Sequence, residues 1–323
     1  MDKKMETGNA IYDKVFHTLI YDCTELMIPV VNEAFGECYT GREKISFMNE
    51  SHIIHEAEGT LSERFTDTSF IIKGDKEKKY HWECQSTQDS SMLVRIFEYD
   101  TQIALEDNEI ADGVMTVEFP NSAILYLRST KNTPDNMTIC IRTSGGNVSY
   151  DIPVMKIKNY AIDEIFSKRL YFLIPFYIFT HESRFQVYNK NGSEIEVLRR
   201  EYAEICSRLE AICAAGEITE FVLRTILETS EMVLNQIARH YENVQKEVRS
   251  AMLGPAIQTM ARTILDEGIQ IGREQGREQG RNQILISLVK DGKISIDEAA
   301  GYGGISVAEF TEHLADTPFT PSS

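Results

Sequence analysis

Two acidic residues and one amide are spaced along a predicted β-hairpin in a way that suits metal chemistry. Glu83 and Gln85 lie two residues apart in an apolar, aromatic-flanked run that predicts a strand, so their side chains share one face. The preceding predicted strand carries Asp67, and a polar turn around Asp75 separates the two strands. A hairpin centred on Asp75 places Asp67 opposite Glu83, where the two carboxylates repel each other. A divalent cation between them would turn that repulsion into binding, and hard oxygen ligands suit Mg²⁺.

A metal ion at this position would give neighbouring groups a role in phosphodiester hydrolysis. Asp67 and Glu83 would hold one or two Mg²⁺ ions, with Mn²⁺ as a substitute, and the backbone carbonyl of Cys84 could add a ligand. The metal would polarise the scissile phosphate and lower the pKa of the attacking water. Glu33, near the end of a predicted helix, could reach the metal or its waters as a further acid.

Three more polar side chains are candidates for contacts to the water and the phosphate. Gln85 would orient the attacking water or a phosphate oxygen through its amide. Because it is neutral, it supplies neither a general base nor the positive charge of a lysine. Arg95 and Tyr99 lie four residues apart on one face of the next predicted helix, so both could donate to the substrate phosphate.

The same residues also admit an interpretation without metal. Asp67 and Glu83 could be carboxylates of an edge strand that point into solvent. Arg95 could simply pair with Glu83, and Glu33 could be an ordinary charge at a helix end. The neighbouring His81 fits strand packing better than a ligand or base. Spacing alone leaves both interpretations open.

The charge of the chain limits its partners. The 323 residues carry a net charge of −17, so bulk attraction would not draw the chain to a polyanion. Contact with nucleic acid would need a local basic surface and a metal ion that neutralises part of the protein's own acidity. The charge therefore counts against nucleic-acid binding in general without excluding a metal-dependent nuclease.

The cysteines and the apolar runs predict a cytoplasmic protein without a membrane partner. None of the six cysteines forms a Cys-x-x-Cys pair, which indicates reduced thiols and not a zinc site or a disulfide framework. The first residues are polar and lack the apolar region of a signal peptide. The longest apolar run, residues 170–179, is shorter than the roughly 20 residues that span a bilayer and is interpreted as buried core.

The first half of the chain predicts a mixed β-sheet with helices on it, an α/β (α+β) domain. A helix is expected over residues 11–35, restarted at Pro29 and ended by Gly36, and another is expected to begin at Asp89. Strands are expected at residues 44–48, 52–55, 65–72, 80–86, 123–127, 137–142 and 154–160.

The second half predicts helices only. The expected boundaries are residues 10–190 for the core domain, 191–265 for a helical extension and 266–323 for a glycine-repeat helix with a small helical tail. Glycines recur every fourth residue from Gly268 to Gly280, which fits either helix pairing in a homodimer or a flexible charged linker. The tail suits either a helix-turn-helix DNA reader or, since its second helix lacks Arg and Lys, a small packing module.

Several segments together resemble a known family. Arg-Phe-Thr-Asp at 64–67, Tyr-His-Trp-Glu-Cys-Gln-Ser-Thr at 80–87 and Met-Leu-Val-Arg-Ile-Phe-Glu-Tyr-Asp at 92–100 are similar to the recombination-promoting nuclease / putative transposase family of the PD-(D/E)XK superfamily. Residues 26–36 and 170–177 extend the resemblance, as does the Gly-Arg-Glu-Gln repeat. The most specific part is residues 67–100.

The resemblance implies a restriction-endonuclease-like core with Mg²⁺-dependent DNA endonuclease activity, which promotes recombination in mobile-element-like bacterial proteins. It implies that Asp67 is the motif aspartate, that Glu83 and Gln85 stand for the Glu-x-Lys pair, and that Glu33 is the first-helix glutamate. Arg95 falls on the helix after the motif, as does Tyr99. The superfamily lysine is replaced by Gln85. The alternative is a non-catalytic protein, a decayed nuclease or a regulator that self-associates through its helical C-terminal region.

Overall fold

The structure, a computed structural model, divides into two compact units, Met1–Gly254 and Pro255–Ser323. It describes residues 3–48, 51–55, 61–65, 68–87, 89, 91–106, 108–190, 192–252 and 294–303, together with the single positions Leu285, Val289 and Phe310. Its helices are α1 (Lys3–Asp22), α2 (Met27–Phe35), α3 (Met92–Glu106), α4 (Ile162–Ser167), α5 (Phe185–Lys190), α6 (Gly192–Ala214), α7 (Glu220–Ile237), α8 (Glu242–Met252) and α9 (Ile296–Gly303).

The first unit is built on a mixed six-stranded sheet, which agrees with the predicted α/β class. Its strands follow the order β1-β4-β5-β8-β10-β9, and β2-β3 and β6-β7 form two separate hairpins. The strands are β1 (Lys44–Phe47), β2 (Ser51–His55), β3 (Leu61–Phe65), β4 (Thr68–Lys73), β5 (Glu77–Gln85), β6 (Glu109–Ala111), β7 (Val114–Thr116), β8 (Asn121–Tyr126), β9 (Asn136–Thr143) and β10 (Gly146–Lys156). β5 is antiparallel to β4 and parallel to β8, so it lies at the centre of the sheet.

The hairpin of β4 and β5 has the predicted register. Thr68 lies opposite Trp82, and Lys73 lies opposite Glu77, so the turn is centred on Asp75. The predicted strand 65–72 was wrong at its start, because Phe65 belongs to β3, which pairs with β2. Asp67 lies outside the described residues.

The two faces of β5 bury different kinds of side chain. On one face Tyr80 and Trp82 pack against the ring of Phe35 from α2, with ring centroids 5.3 and 6.0 Å away. On the other face α3 covers the neighbouring strands, where its Met92 and Ile96 join a core with β8 and β10. Alternate residues of β5 therefore point either into an aromatic core or towards α3.

The break between the first two helices falls earlier than predicted. α1 ends at Asp22, a 3₁₀ turn occupies Thr24–Leu26, and α2 begins at Met27. Pro29 then lies in the first turn of α2, where its missing N–H costs no helical hydrogen bond. Gly36 ends the helix as predicted, with a φ of 66° that a residue without a side chain adopts at no steric cost.

The last strand of the sheet was predicted in the wrong place. β10 starts at Gly146 and ends at Lys156, and Ile157–Asn159 is a 3₁₀ turn, whereas a strand was expected at residues 154–160. The first half of β10 pairs with β9 through a tight turn at Gly146, whose φ is 145°. β10 reaches β8 only through its last three residues.

The remaining helices complete the unit. The apolar run 170–179 is buried as predicted, but it folds as a long 3₁₀ helix, Tyr171–Arg184. None of the described helices has the length and apolar character needed to cross a bilayer.

In the second unit, the N–H of Ala299 donates to the carbonyl of Ser295 at the start of α9. The glycine repeat from Gly268 to Gly280 lies outside the described residues.

Candidate functional site

The candidate site is centred on Glu83, near the carboxyl end of β5. Its side chain has no exposed surface, and it lies on the face that turns towards α3. The amide Nε2 of Gln85 donates to Glu83 Oε2 at 3.2 Å, and the guanidinium of Arg95 donates to the same oxygen at 3.1 Å. The structure therefore brings together three of the predicted site residues around one buried carboxylate.

A second carboxylate reaches this face through His81. The imidazole Nδ1 of His81 is 2.8 Å from Asp100 Oδ1, and its Nε2 is 3.7 Å from Glu83 Oε1. Asp100 also accepts hydrogen bonds from the hydroxyl of Ser122 at 2.6 Å and that of Tyr150 at 3.1 Å. Burial lowers the pKa of His81, but the two carboxylates outweigh burial and raise it to about 9. His81 is buried in the strand as predicted, and its bond to Asp100 adds a polar contact that the sequence did not reveal.

Helix α3 positions both the cation and the ring beside this cluster. Asp89 receives the N–H of Ser91 at 2.9 Å, which satisfies a donor just before the first turn of the helix. Arg95 follows one turn later with 26% of its side chain exposed, and Tyr99 lies one turn beyond. The Tyr99 ring is buried and packs edge-on against His81, with ring centroids 5.9 Å apart.

An acid that the sequence analysis missed approaches from α1. Burial raises the pKa of Asp13, the charge of Glu83 raises it further and Arg95 lowers it, with a net value of about 6. Asp13 is half-buried, so its carboxylate and that of Glu83 act on each other in a poorly solvated space. No local signal marks Asp13, because its proximity to Glu83 depends on how α1 packs in the tertiary structure.

Glu33 has different partners from those expected. Its carboxylate accepts from the amino group of Lys168 at 2.8 Å and from the hydroxyl of Tyr160 at 3.4 Å. Together with Lys168 it lines a cleft of about 360 Å³ beside α2. The described contacts thus place Glu33 beside the residues that flank α4, and the acid that senses Glu83 from the first helices is Asp13.

The direction of the Cys84 carbonyl follows from the hydrogen bonds of β5. The N–H of Leu127 donates to the carbonyl of Gln85 at 2.9 Å, so that carbonyl points towards β8. Successive carbonyls of a strand point to opposite neighbours, so the carbonyl of Cys84 points to the β4 side. The first described residue of β4, Thr68, lies opposite Trp82. The Cys84 carbonyl therefore points to the same side of β5 as the strand expected to carry Asp67.

No family model, curated protein or solved structure matches the chain. The chemistry of the site rests on its own residues. In the described part of the chain, no three His, Cys, Asp or Glu side chains are arranged to hold a metal ion.

The donors around Glu83 nevertheless have the chemistry that a hard divalent cation prefers. Glu83 and Asp13 are carboxylates whose mutual repulsion a cation would relieve. The carbonyl of Cys84 supplies a neutral oxygen on the β4 side. Asp67, the other carboxylate expected at this site, lies outside the described residues. Arg95 and the amide of Gln85 lie at the edge of this set as hydrogen-bond donors.

Proposed function

We propose that this chain is a metal-dependent DNA endonuclease with a restriction-endonuclease-like core. The observation that carries the proposal is the fully buried carboxylate of Glu83 near the end of a central strand, with Gln85 and Arg95 on one of its oxygens. The register of β4 and β5, which would continue to Asp67 opposite Glu83, supports the two-carboxylate arrangement. Mg²⁺ is the expected ion and Mn²⁺ the substitute.

Each residue contributes a separate function to the proposed reaction. Asp67, Glu83 and the carbonyl of Cys84 would hold the ion, which would polarise the phosphate and lower the pKa of a water molecule. Gln85 orients that water through its amide, since it cannot accept the water's proton. Asp13, which senses the charges of Glu83 and Arg95, would be a further acceptor for a water molecule near Glu83.

Arg95 supplies a partly exposed positive charge at this point of an acidic chain. About a quarter of its side chain is exposed, so its guanidinium can contact a phosphate oxygen while it remains beside Glu83. With a net charge of −17, the protein would approach DNA only where a metal ion and Arg95 reverse the local charge. Tyr99 supports this helix face through its contact with His81.

A second candidate function is non-catalytic. Arg95 neutralises the Glu83 carboxylate and Gln85 donates a hydrogen bond to it, as in a nuclease that has lost its metal. Such a protein would act as a regulator that self-associates through the glycine repeat at 268–280. Light scattering of the full chain and of a chain that ends before Gly268 tests this association. The same number of chains per particle in both would exclude it.

A plasmid-cleavage assay decides between the two functions. We expect nicking or cutting of duplex DNA by the wild type with Mg²⁺ and none with EDTA, and loss of cleavage in Asp67→Ala and Glu83→Gln. Asp75→Ala is the matched control, because Asp75 is an exposed aspartate in the turn of the same hairpin. The fluorescence of the buried Trp82 confirms folding of each variant. A folded Asp67→Ala protein that cuts DNA at the wild-type rate would refute the proposed endonuclease site.

A further inference from the structure

His81 and Asp100 form a buried pair behind Glu83 that the proposed reaction does not itself use. We propose that they are positioning residues, which hold the Glu83 carboxylate in the orientation that binds the divalent cation. This inference rests on the proposed function. It adds that binding of the cation depends on His81 and Asp100 as well as on the residues at the carboxyl end of β5. The contact His81 Nε2–Glu83 Oε1 is 3.7 Å, and neither side chain has exposed surface.

The imidazole of His81 lies beside one oxygen of Glu83, while other groups donate hydrogen bonds to the second oxygen. His81 faces Oε1, whereas Gln85 and Arg95 both donate to Oε2. The two donors on Oε2, together with the imidazole that lies 3.7 Å from Oε1, limit rotation of the carboxylate about its last side-chain bond. The carboxylate therefore presents a preferred direction to a ligand, as outer partners of metal-binding carboxylates commonly ensure.

The pair is itself fixed from behind. Asp100 accepts from His81 and Ser122 through Oδ1 and from Tyr150 through Oδ2, so both of its oxygens are bonded. These donors come from β5, β8 and β10, three adjacent strands of the sheet. Asp100 lies on α3, and the hydrogen bonds thus fix the helix that also carries Arg95.

Stability alone does not account for charged groups at this place. Burying an imidazole together with two carboxylates has a large desolvation penalty, and apolar residues of similar volume commonly replace such clusters without loss of stability. The opposite face of β5 is filled with Tyr80, Trp82 and Cys84, none of them charged. A core of that kind was available to this strand, so the polar cluster points to a task in the site.

Metal affinity measured on the full chain tests the inference. Mn²⁺ binding is followed by electron paramagnetic resonance of the free ion in wild type, His81→Gln, Asp100→Asn and Glu83→Gln. We expect His81→Gln to bind Mn²⁺ about 10- to 100-fold more weakly, which is the usual effect of losing an outer partner. Because Glu83 itself remains, high Mn²⁺ should restore cleavage in His81→Gln but not in Glu83→Gln.

A second buried histidine provides the matched control. His181 bonds the hydroxyl of Tyr188 at 3.0 Å and the carboxylate of Glu201 at 2.8 Å, within the helical part of the unit. His181→Gln therefore removes a buried, carboxylate-paired imidazole elsewhere, and it should leave Mn²⁺ affinity unchanged. Equal weakening by both histidine variants would mean a general loss of stability and would overturn the inference.

The remaining outcomes separate this inference from the proposed function. A folded His81→Gln protein with wild-type Mn²⁺ affinity overturns the positioning role while Glu83 keeps its own. If His81→Gln does not fold, Asp100→Asn replaces it, because asparagine keeps an acceptor for Nδ1 and loses the charge. Unchanged affinity in Asp100→Asn then has the same meaning. A wild type that binds no Mn²⁺ refutes the proposed function, and the positioning role with it.

Discussion

The charge of Asp13 should make the folded protein less stable at neutral pH than an uncharged residue would. Its pKa is raised from 3.8 to about 6 by burial and by Glu83, with Arg95 opposing. The folded state therefore binds this proton more tightly than the unfolded state does. The stability that comes from the protonated carboxyl is fully present below about pH 4 and is lost as the pH rises through about 6.

The size of the effect follows from the shift. A difference of about two pKa units corresponds to about 3 kcal/mol, and partial exposure of Asp13 to solvent reduces this to about 1–3 kcal/mol. Asp13→Asn removes the titrating group at nearly constant shape. At pH 7.5 we expect the free energy of unfolding of the variant to be about 1–3 kcal/mol higher than that of the wild type. At pH 4 we expect the two free energies to be equal.

Trp82 makes the measurement specific to the sheet. It is the one tryptophan of the chain and is fully buried in β5, so its fluorescence in urea reports the unfolding of this unit. The experiment is done in EDTA at pH 4 and 7.5, with Asp75→Asn as the control for an exposed aspartate. An Asp13→Asn protein that gains nothing at pH 7.5, or whose gain persists at pH 4, would refute the reasoning.

Two further predictions concern the framework. Arg128→Met removes two hydrogen bonds to Glu182 from a half-buried guanidinium and should lower the free energy of unfolding, measured in urea, by about 1–3 kcal/mol. The control Arg249→Met, at an exposed ion pair, should change it by less than about 0.5 kcal/mol. Equal effects of the two variants would contradict the role of burial. Gly146→Ala places a side chain at a φ of 145° and should lower the free energy of unfolding by about 1–3 kcal/mol in the same assay. A comparable loss in the neighbouring Gly145→Ala would show that φ is not the cause.

The sequence was sufficient for what depends on alternation and on turns. The register of β4 and β5 follows from a turn at Asp75, because the side-chain period of a strand is two and a hairpin fixes its own pairing. It also showed that Glu83 and Gln85 share a face. The buried run at 170–179 was recognised by its apolar content. Its 3₁₀ form could not be predicted, because a segment that is apolar on every side shows no hydrophobic periodicity.

Long-range packing determines what the sequence could not reveal. Asp13 comes near Glu83 only through the tertiary packing of α1, and nothing in the helix pattern specifies that approach. The bond between His81 and Asp100 joins residues on different elements, so His81 was interpreted from its strand alone. Glu33 was assigned to the site from its place at a helix end and from the resemblance, whereas its side chain accepts a hydrogen bond from Lys168.

The mixed pairing of β5 has a consequence for the order of folding. β4 and β5 are joined by a short turn and can pair early, whereas β8 must return past α3 and the β6-β7 hairpin before it can lie parallel to β5. Until then the Glu83 carboxylate remains in water. Its transfer to the interior is therefore coupled to the slow closure that also brings α3 and Arg95. Chains that stall before this closure expose an aromatic hairpin without its charged face, which makes them vulnerable to aggregation.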